Sequence, residues 1–306
     1  MEGVVRRTGG GTYLVALEDG RRVEATLRGR VKLEARKGDQ VVIGDRVEVE
    51  EAAEGSFTIE GVRPRDRELV RRGKGGRKPK VLAANLERMV LVLAARDPSP
   101  RLEQVDRFLV VAEANGLDPA LVLNKVDLDG AAEVEGTIRD LYEPVGYDVL
   151  ATSARTGEGL ERARDVLCRG RSVLVGPSGV GKSSLLNAIQ PGLDLRVGEL
   201  SGKGRTGRHT TVRSRLIVLD CGGEVADTPG FSDVGLWGVE PRALTACFPE
   251  IAARVGRCRF RGCSHLHEPE CAVREAVESG AIDPRRFESY RLLREEAEEA
   301  SRPDWD

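Results

Sequence analysis

Apolar, β-rich residues gather in short runs through the first sixty positions: Val4 to Arg7, Thr12 to Leu17, Arg22 to Leu27, Val41 to Ile43, Arg46 to Val49 and Phe57 to Val62. Gly and Asp break the runs, which predict short strands. Glu18-Asp19-Gly20 and Gly44-Asp45 supply the tight turns between them. Five or six such strands predict a small closed barrel of the oligonucleotide-binding (OB) type, and an SH3-like or other small barrel fits the same pattern. From Val81 to about Leu236 the rhythm changes to alternating strands and helices. Met89 to Ala95 is apolar throughout and reads as a fully buried strand. Ser99-Pro100 is expected to cap a helix carrying Leu102, Val105, Phe108 and Leu109 on one face, with Gly116 ending it. Further strands are predicted at Ala120 to Leu123, Asp148 to Ala151, Ser172 to Val175, Arg213 to Leu219 and Gly223 to Ala226. This is the pattern of a mostly parallel α/β sheet, which binds ligands at the carboxyl ends of its strands. Two helices close the chain, Ala272 to Ser279 and Pro284 to Ala300.

Length and charge narrow the picture. At 306 residues the chain holds two or three domains. The longest uninterrupted apolar run, Met89 to Ala95, is far below a membrane span, and MEGVVRRTGG lacks the apolar stretch of a secretory signal. A cytoplasmic protein without membrane contact, and monomeric, is expected. Forty-eight basic residues against fifty acidic ones leave a net charge of −2, so attraction to nucleic acid requires a local patch. Arg63 to Lys80 provides one, with nine basic residues against two acidic ones and four Gly or Pro in its second half. It reads as a mobile basic connector, either a solvated linker or a phosphate-contacting segment through Arg71, Arg72, Lys74, Arg77, Lys78 and Lys80.

The candidate chemistry begins at the end of the Ser172 strand. Gly176, Pro177, Ser178, Gly179, Val180, Gly181, Lys182 and Ser183, followed by Ser184 in a helix, fit the G-x-x-x-x-G-K-S phosphate loop. Its glycines let backbone N–H groups wrap a phosphate chain, Lys182 reaches the outer phosphates and Ser183 ligates Mg²⁺. Asp227-Thr228-Pro229-Gly230 ends another strand, where Asp227 can hold the Mg²⁺ and the Gly230 N–H can meet a γ-phosphate. Asn124-Lys125-Val126-Asp127 suits guanine, because Asp127 can accept from both the ring N–H and the exocyclic amine, which adenine cannot reciprocate. Lys125 can cover the nucleotide, and Asn124 can tie this loop to the phosphate loop. After the next strand, Thr152-Ser153-Ala154 can offer the Ala154 N–H to the guanine carbonyl. GTP or GDP with Mg²⁺ is therefore the expected ligand.

The guanine-reading motifs precede the phosphate loop, the reverse of ordinary small GTPases, so the domain is circularly permuted. Permutation can keep a fold when the new ends fall in exposed loops. It also makes the Asp227 segment lead directly into the C-terminal region. There, Cys258, Cys263, His265 and Cys271 supply three thiolates and one imidazole, the donor set of a closed structural Zn²⁺ site, with His267 as the alternative imidazole. Cys168, Cys221 and Cys247 read as small apolar residues in packing positions.

The order NKVD, TSA, GPSGVGKS, GRHTT and DTPGF, with a barrel before it and C-x4-C-x-H-x5-C after it, resembles the ribosome small-subunit-dependent GTPase family (RsgA, also called YjeQ) over essentially the whole chain. The resemblance implies a GTPase that assists late maturation of the small ribosomal subunit, with hydrolysis stimulated by that subunit. The architecture expected is then an OB-type barrel (1–66) facing rRNA, a basic linker (67–80), a circularly permuted P-loop GTPase domain (81–236) and a zinc-binding helical domain (237–306). Val212 stands where the family often has a third threonine, leaving Thr211 as first choice and Thr210 as second for the Mg²⁺. Phe231 occupies the position at which Ras-type GTPases carry a water-orienting glutamine. His209, beside the two threonines, is the candidate for that task, with Lys182 and Thr211 as its catalytic companions.

Overall fold

A computed structural model describes residues 1–29, 31, 40–52, 55–71, 80–195, 214–227 and 239–301. The five N-terminal strands are β1 (Glu2–Gly9), β2 (Thr12–Leu17), β3 (Arg22–Leu27), β4 (Arg46–Glu51) and β5 (Phe57–Val62). They pair in the order β1-β2-β3-β5-β4, and β4 closes back on β1. β3 and β5 run parallel while the other neighbours are antiparallel, which is the OB arrangement and decides against the SH3-like alternative. Inward residues of these strands, among them Val5, Val15, Val23, Val47 and Ile59, fill the barrel. Val41 to Ile43 is not a strand of it. Only Ile43 forms a bridge, to Ala83 outside the barrel, because Gly44 brings the chain against the Ala84 carbonyl, where a Cβ would stand 2.1 Å away.

The expectation of a mobile connector over 63–80 is corrected at both ends. Arg65 donates to the fully buried Asp45 through Nε (2.7 Å) and Nη2 (3.0 Å) and to the Gln40 carbonyl (2.8 Å). β6 (Glu68–Arg71) then pairs antiparallel with β7 (Lys80–Ala84). A buried carboxylate and a strand partner outweigh the local Gly and charge signals. Arg72, Lys74, Arg77 and Lys78 lie outside the described residues. Arg71 and Lys80 stand opposite each other in the pair, and Lys80 is exposed.

The central sheet contains β8 (Arg88–Ala94), β9 (Asp118–Asn124), β10 (Asp148–Ala151), β11 (Arg171–Val175), β12 (Ser214–Val218) and β13 (Glu224–Asp227). Its order is β10-β9-β8-β11-β13-β12, parallel up to β13, with β12 antiparallel. Its helices are α1 (Leu102–Ala114), α2 (Ala131–Tyr142), α3 (Leu160–Cys168) and α4 (Lys182–Ile189). Apolar clusters lie on both faces, as the continuous apolar run of β8 requires. α1 starts two residues beyond the expected Ser99-Pro100 cap: Arg101 is its extended N-cap and no side chain caps it. β12 also pairs with β1 (Arg7↔Arg215, Thr8↔Ser214), so barrel and central sheet form one eleven-stranded sheet.

Cys168 and Cys221 form a disulfide that joins the end of α3 to the β12–β13 turn, correcting their assignment as simple packing residues. The turn approaches so closely that a Cβ on Gly223 would stand 2.7 Å from the Cys168 Cα. Cys247 does pack as expected, in a core with Leu244, Phe248 and Ile251. That C-terminal core is built by α5 (Pro249–Ala252), α6 (Ala272–Glu278) and α7 (Pro284–Ser301) and includes Val110 of α1. Among the described residues no helix is long and apolar enough to cross a membrane.

Candidate nucleotide site and metal cluster

Parallel pairing of β8 to β11 brings the ends of β9, β10 and β11 to one edge of the sheet, and a sequence motif follows each. β11 delivers the chain into Gly176. Its φ is 136°, and a Cβ there would stand 2.1 Å from the Val92 carbonyl oxygen, so only glycine fits. Gly181 (φ 96°) turns the loop into α4, which begins without a side-chain cap and leaves its first N–H groups open to an anion. Lys182 is buried and points back into the loop, donating to the carbonyls of Gly176 (2.7 Å) and Pro177 (2.8 Å). Burial lowers its pKa to about 8, against the opposing pull of the Asp227 carboxylate. Ser183 is buried beside it.

Asn124 holds three motifs together. Its Nδ2 donates to the Val180 carbonyl of the phosphate loop (3.0 Å), and its Oδ1 accepts the Ala154 N–H (3.1 Å). The tie between the NKVD and phosphate loops is thus the expected one. The Ala154 N–H, expected to face a guanine carbonyl, is directed instead to Asn124. Lys125 adopts φ 63° and donates to the Asp97 carbonyl in the loop before α1. Together Asn124, Lys125, Asp127, Ala154, Gly181 and Ser184 line a cavity of about 280 Å³. A larger cavity of about 410 Å³ lies at the opposite end of β9, beside Asp118, and none of the motif residues lines it.

Two arginines that the sequence reading did not single out occupy the carboxylates of the site. Arg155 donates to Asp127 Oδ2 through Nε (2.7 Å) and lies 2.6 Å from it through Nη2. Ser153 donates its hydroxyl to the other oxygen. These partners, the Ser153 hydrogen bond foremost, hold the Asp127 carboxyl below its ordinary pKa. Asp227, at the end of β13, accepts from Arg215 Nε at 3.0 Å. Arg155 directly follows TSA, but neither contact has a spacing signal. His209, Thr210, Thr211, Gly230 and Phe231 lie outside the described residues.

The second cluster is a candidate metal centre. One donor atom from each of Cys258, Cys263, His265 and Cys271 lies within 4.8 Å of the others, with His265 Nδ1 3.5 Å from Cys258 Sγ and 3.4 Å from Cys271 Sγ. His265 takes a left-handed φ of 65° to turn inward, whereas His267 is not in the cluster. Three thiols and a buried imidazole fit the donor set of tetrahedral Zn²⁺.

Comparison with known proteins agrees with this geometry. The RsgA GTPase family model matches residues 62–237. The chain is 47% identical over 297 residues to a small ribosomal subunit biogenesis GTPase RsgA of Gemmatimonas aurantiaca, covering 96% of each chain. A protein of the same name from Moorella thermoacetica is 44% identical over 291 residues, covering 95% of each. The crystal structure of YjeQ from Thermotoga maritima is similar with a TM-score of 0.82 at 34% identity and 99% coverage of both chains. That of YloQ, described as a circularly permuted GTPase, gives 0.76 at 32% identity, covering 99% of this chain and 96% of the other. With permuted nucleotide loops, an OB barrel and a Cys₃His cluster on one chain, and relatives this similar across its length, the protein belongs to the RsgA GTPase family.

Proposed function

We propose that the protein binds the small ribosomal subunit, assists its late maturation and hydrolyses GTP to GDP and phosphate, with turnover stimulated by that subunit. The observation that carries this reading is the convergence of NKVD, TSA and the phosphate loop on one cavity through Asn124. The name shared by the relatives, small ribosomal subunit biogenesis GTPase, supplies the partner.

In this reading Asp127 accepts the guanine edge, and Lys182 leaves the Gly176 and Pro177 carbonyls for the outer phosphates. Ser183, Asp227 and Thr211 would hold Mg²⁺, a set of oxygen donors suited to that ion, which would offset the phosphate charge. Gly230 serves the γ-phosphate. The Phe231 side chain has no hydrogen-bonding atom and cannot orient the attacking water as a glutamine would. His209 takes that role when the protein is docked on the small subunit. Cys258, Cys263, His265 and Cys271 would hold one structural Zn²⁺. The barrel and the basic residues Arg71, Arg72, Lys74, Arg77, Lys78 and Lys80 face rRNA.

Co-sedimentation with purified small and large subunits, with a non-hydrolysable GTP analogue or GDP present, tests the partner. Retention on small subunits in the GTP-analogue state is expected. Equal retention on both subunits would remove the assignment.

A further inference from the structure

Asp127 is the carboxylate that has to read a base, and its side chain is only 8% exposed at the guanine end of the cavity. Neither of its oxygens is idle. Oδ1 accepts from the Ser153 hydroxyl, and that same hydroxyl oxygen accepts the N–H groups of Arg155 (3.3 Å) and Thr156 (3.1 Å). Oδ2 faces both Nε and Nη2 of Arg155, at 2.7 and 2.6 Å. The Arg155 side chain is otherwise in solvent, 72% exposed, so only its tip is held.

The chemistry of that tip matters. Guanine reads a carboxylate with its N1–H and its 2-amine, two parallel donors on one N–C–N unit. Arginine Nε–H and Nη2–H are also two parallel donors on one N–C–N unit. We propose that Arg155 is an internal stand-in for the guanine edge: it occupies Asp127 while the site is empty, and an incoming guanine nucleotide exchanges with it. This inference rests on the reading of Asp127 as the guanine acceptor. Base binding is then a replacement of one two-donor partner by another. The observed affinity is reduced by the fraction of empty protein in which Arg155 holds Asp127. The exchange keeps the carboxylate partnered in both states and sets nucleotide affinity lower than the pocket alone would give.

Calorimetric titration of GDP and of GTP with Mg²⁺ into the full-length protein and into Arg155→Ala tests this. Arg155 is a mostly exposed loop residue, so the variant is expected to fold. An exposed ion pair predicts that Arg155→Ala tightens binding by about two- to fivefold at low salt, by the same factor for GDP and GTP because the contact is to the base. Salt at roughly 0.5 M screens the pair, so the factor should shrink toward one. Unchanged or weaker binding in Arg155→Ala at low salt would overturn the proposal, as would a gain that high salt leaves undiminished. Asp127→Ala provides the separate control. If it binds GDP as the unaltered protein does, the guanine reading of Asp127 itself fails; if it loses GDP while Arg155→Ala shows no gain, only the stand-in fails.

Discussion

Lys182 is a buried ammonium in a loop built for phosphates, and its pKa of about 8 makes its charge depend on what fills that loop. Phosphate oxygens favour the charged form, so the pKa rises when a nucleotide binds. Binding must therefore take up a proton above pH 8, and affinity is complete below that value and lost as pH rises. GDP affinity is expected to be flat from pH 6 to about 7.5 and to fall toward tenfold per unit between about 8 and 9. Lys182→Met should bind more weakly and show a shallower slope in isothermal titration; an equal slope would assign the proton elsewhere. Asn124 tests the geometry of the same site. Its side chain joins three loops, so Asn124→Ala should cost about 1–3 kcal/mol of stability by leaving buried partners unsatisfied, and should weaken GDP binding in parallel. A variant with unaltered urea unfolding would contradict that account. These residues were legible in the sequence because each lies within a few positions of its motif. Arg155 and Arg215 were not, since an arginine beside a carboxylate becomes visible only when separate loops meet.

At the scale of elements, β9, β10, β11 and β13 lie within one to three residues of their expected positions because runs such as Leu121-Val-Leu carry a strong local signal. What escaped were pairings that no local pattern announces: the β6–β7 pair, the Cys168–Cys221 bond across 53 positions, and the loss of the Val41 strand to a bridge with Ala83. The Cys₃His cluster was legible from spacing alone, and its consequences lie in the elements around it. Cys271 is the N-cap residue of α6, and Cys258, Cys263 and Cys271 belong to the apolar core shared with α7. Zinc bound to small sites of this kind supplies folding free energy of about 10–16 kcal/mol. Chelation should therefore expose residues 239–301 to protease while the barrel stays resistant. Metal release with an unchanged digestion pattern would show that the elements stand without it.

For the whole molecule, Arg286 is the pin between the C-terminal elements and the nucleotide-binding sheet. It is 2% exposed, bonds Glu250 at 2.8 Å and Asp106 of α1, and lies 4.7 Å from the centre of the Phe248 ring. Tyr142 donates to the same Asp106 oxygen at 2.8 Å. Burial opposes the Arg286 charge, but the two carboxylates outweigh it and raise its pKa. Arg286→Met leaves both carboxylates buried without their cation, at a cost of about 3–5 kcal/mol measurable in urea. A loss below about 1 kcal/mol would mean that apolar packing, not this network, joins the two parts. At the other edge, Arg6 and Arg171 both pair with Glu224, beside the β1–β12 seam, and tie the barrel to the strand that ends at Asp227. Both ends of the molecule thus connect physically to the nucleotide-binding sheet. Multiple-turnover phosphate release from GTP by the full-length protein, alone and with purified small subunits, decides whether it is a subunit-stimulated GTPase. Slow turnover alone, stimulation by small subunits, and loss of about a hundredfold or more of the stimulated rate in His209→Ala with GTP affinity nearly intact are the results predicted. Turnover that small subunits leave unchanged would contradict the account and leave the protein a nucleotide-sensing RNA-binding scaffold.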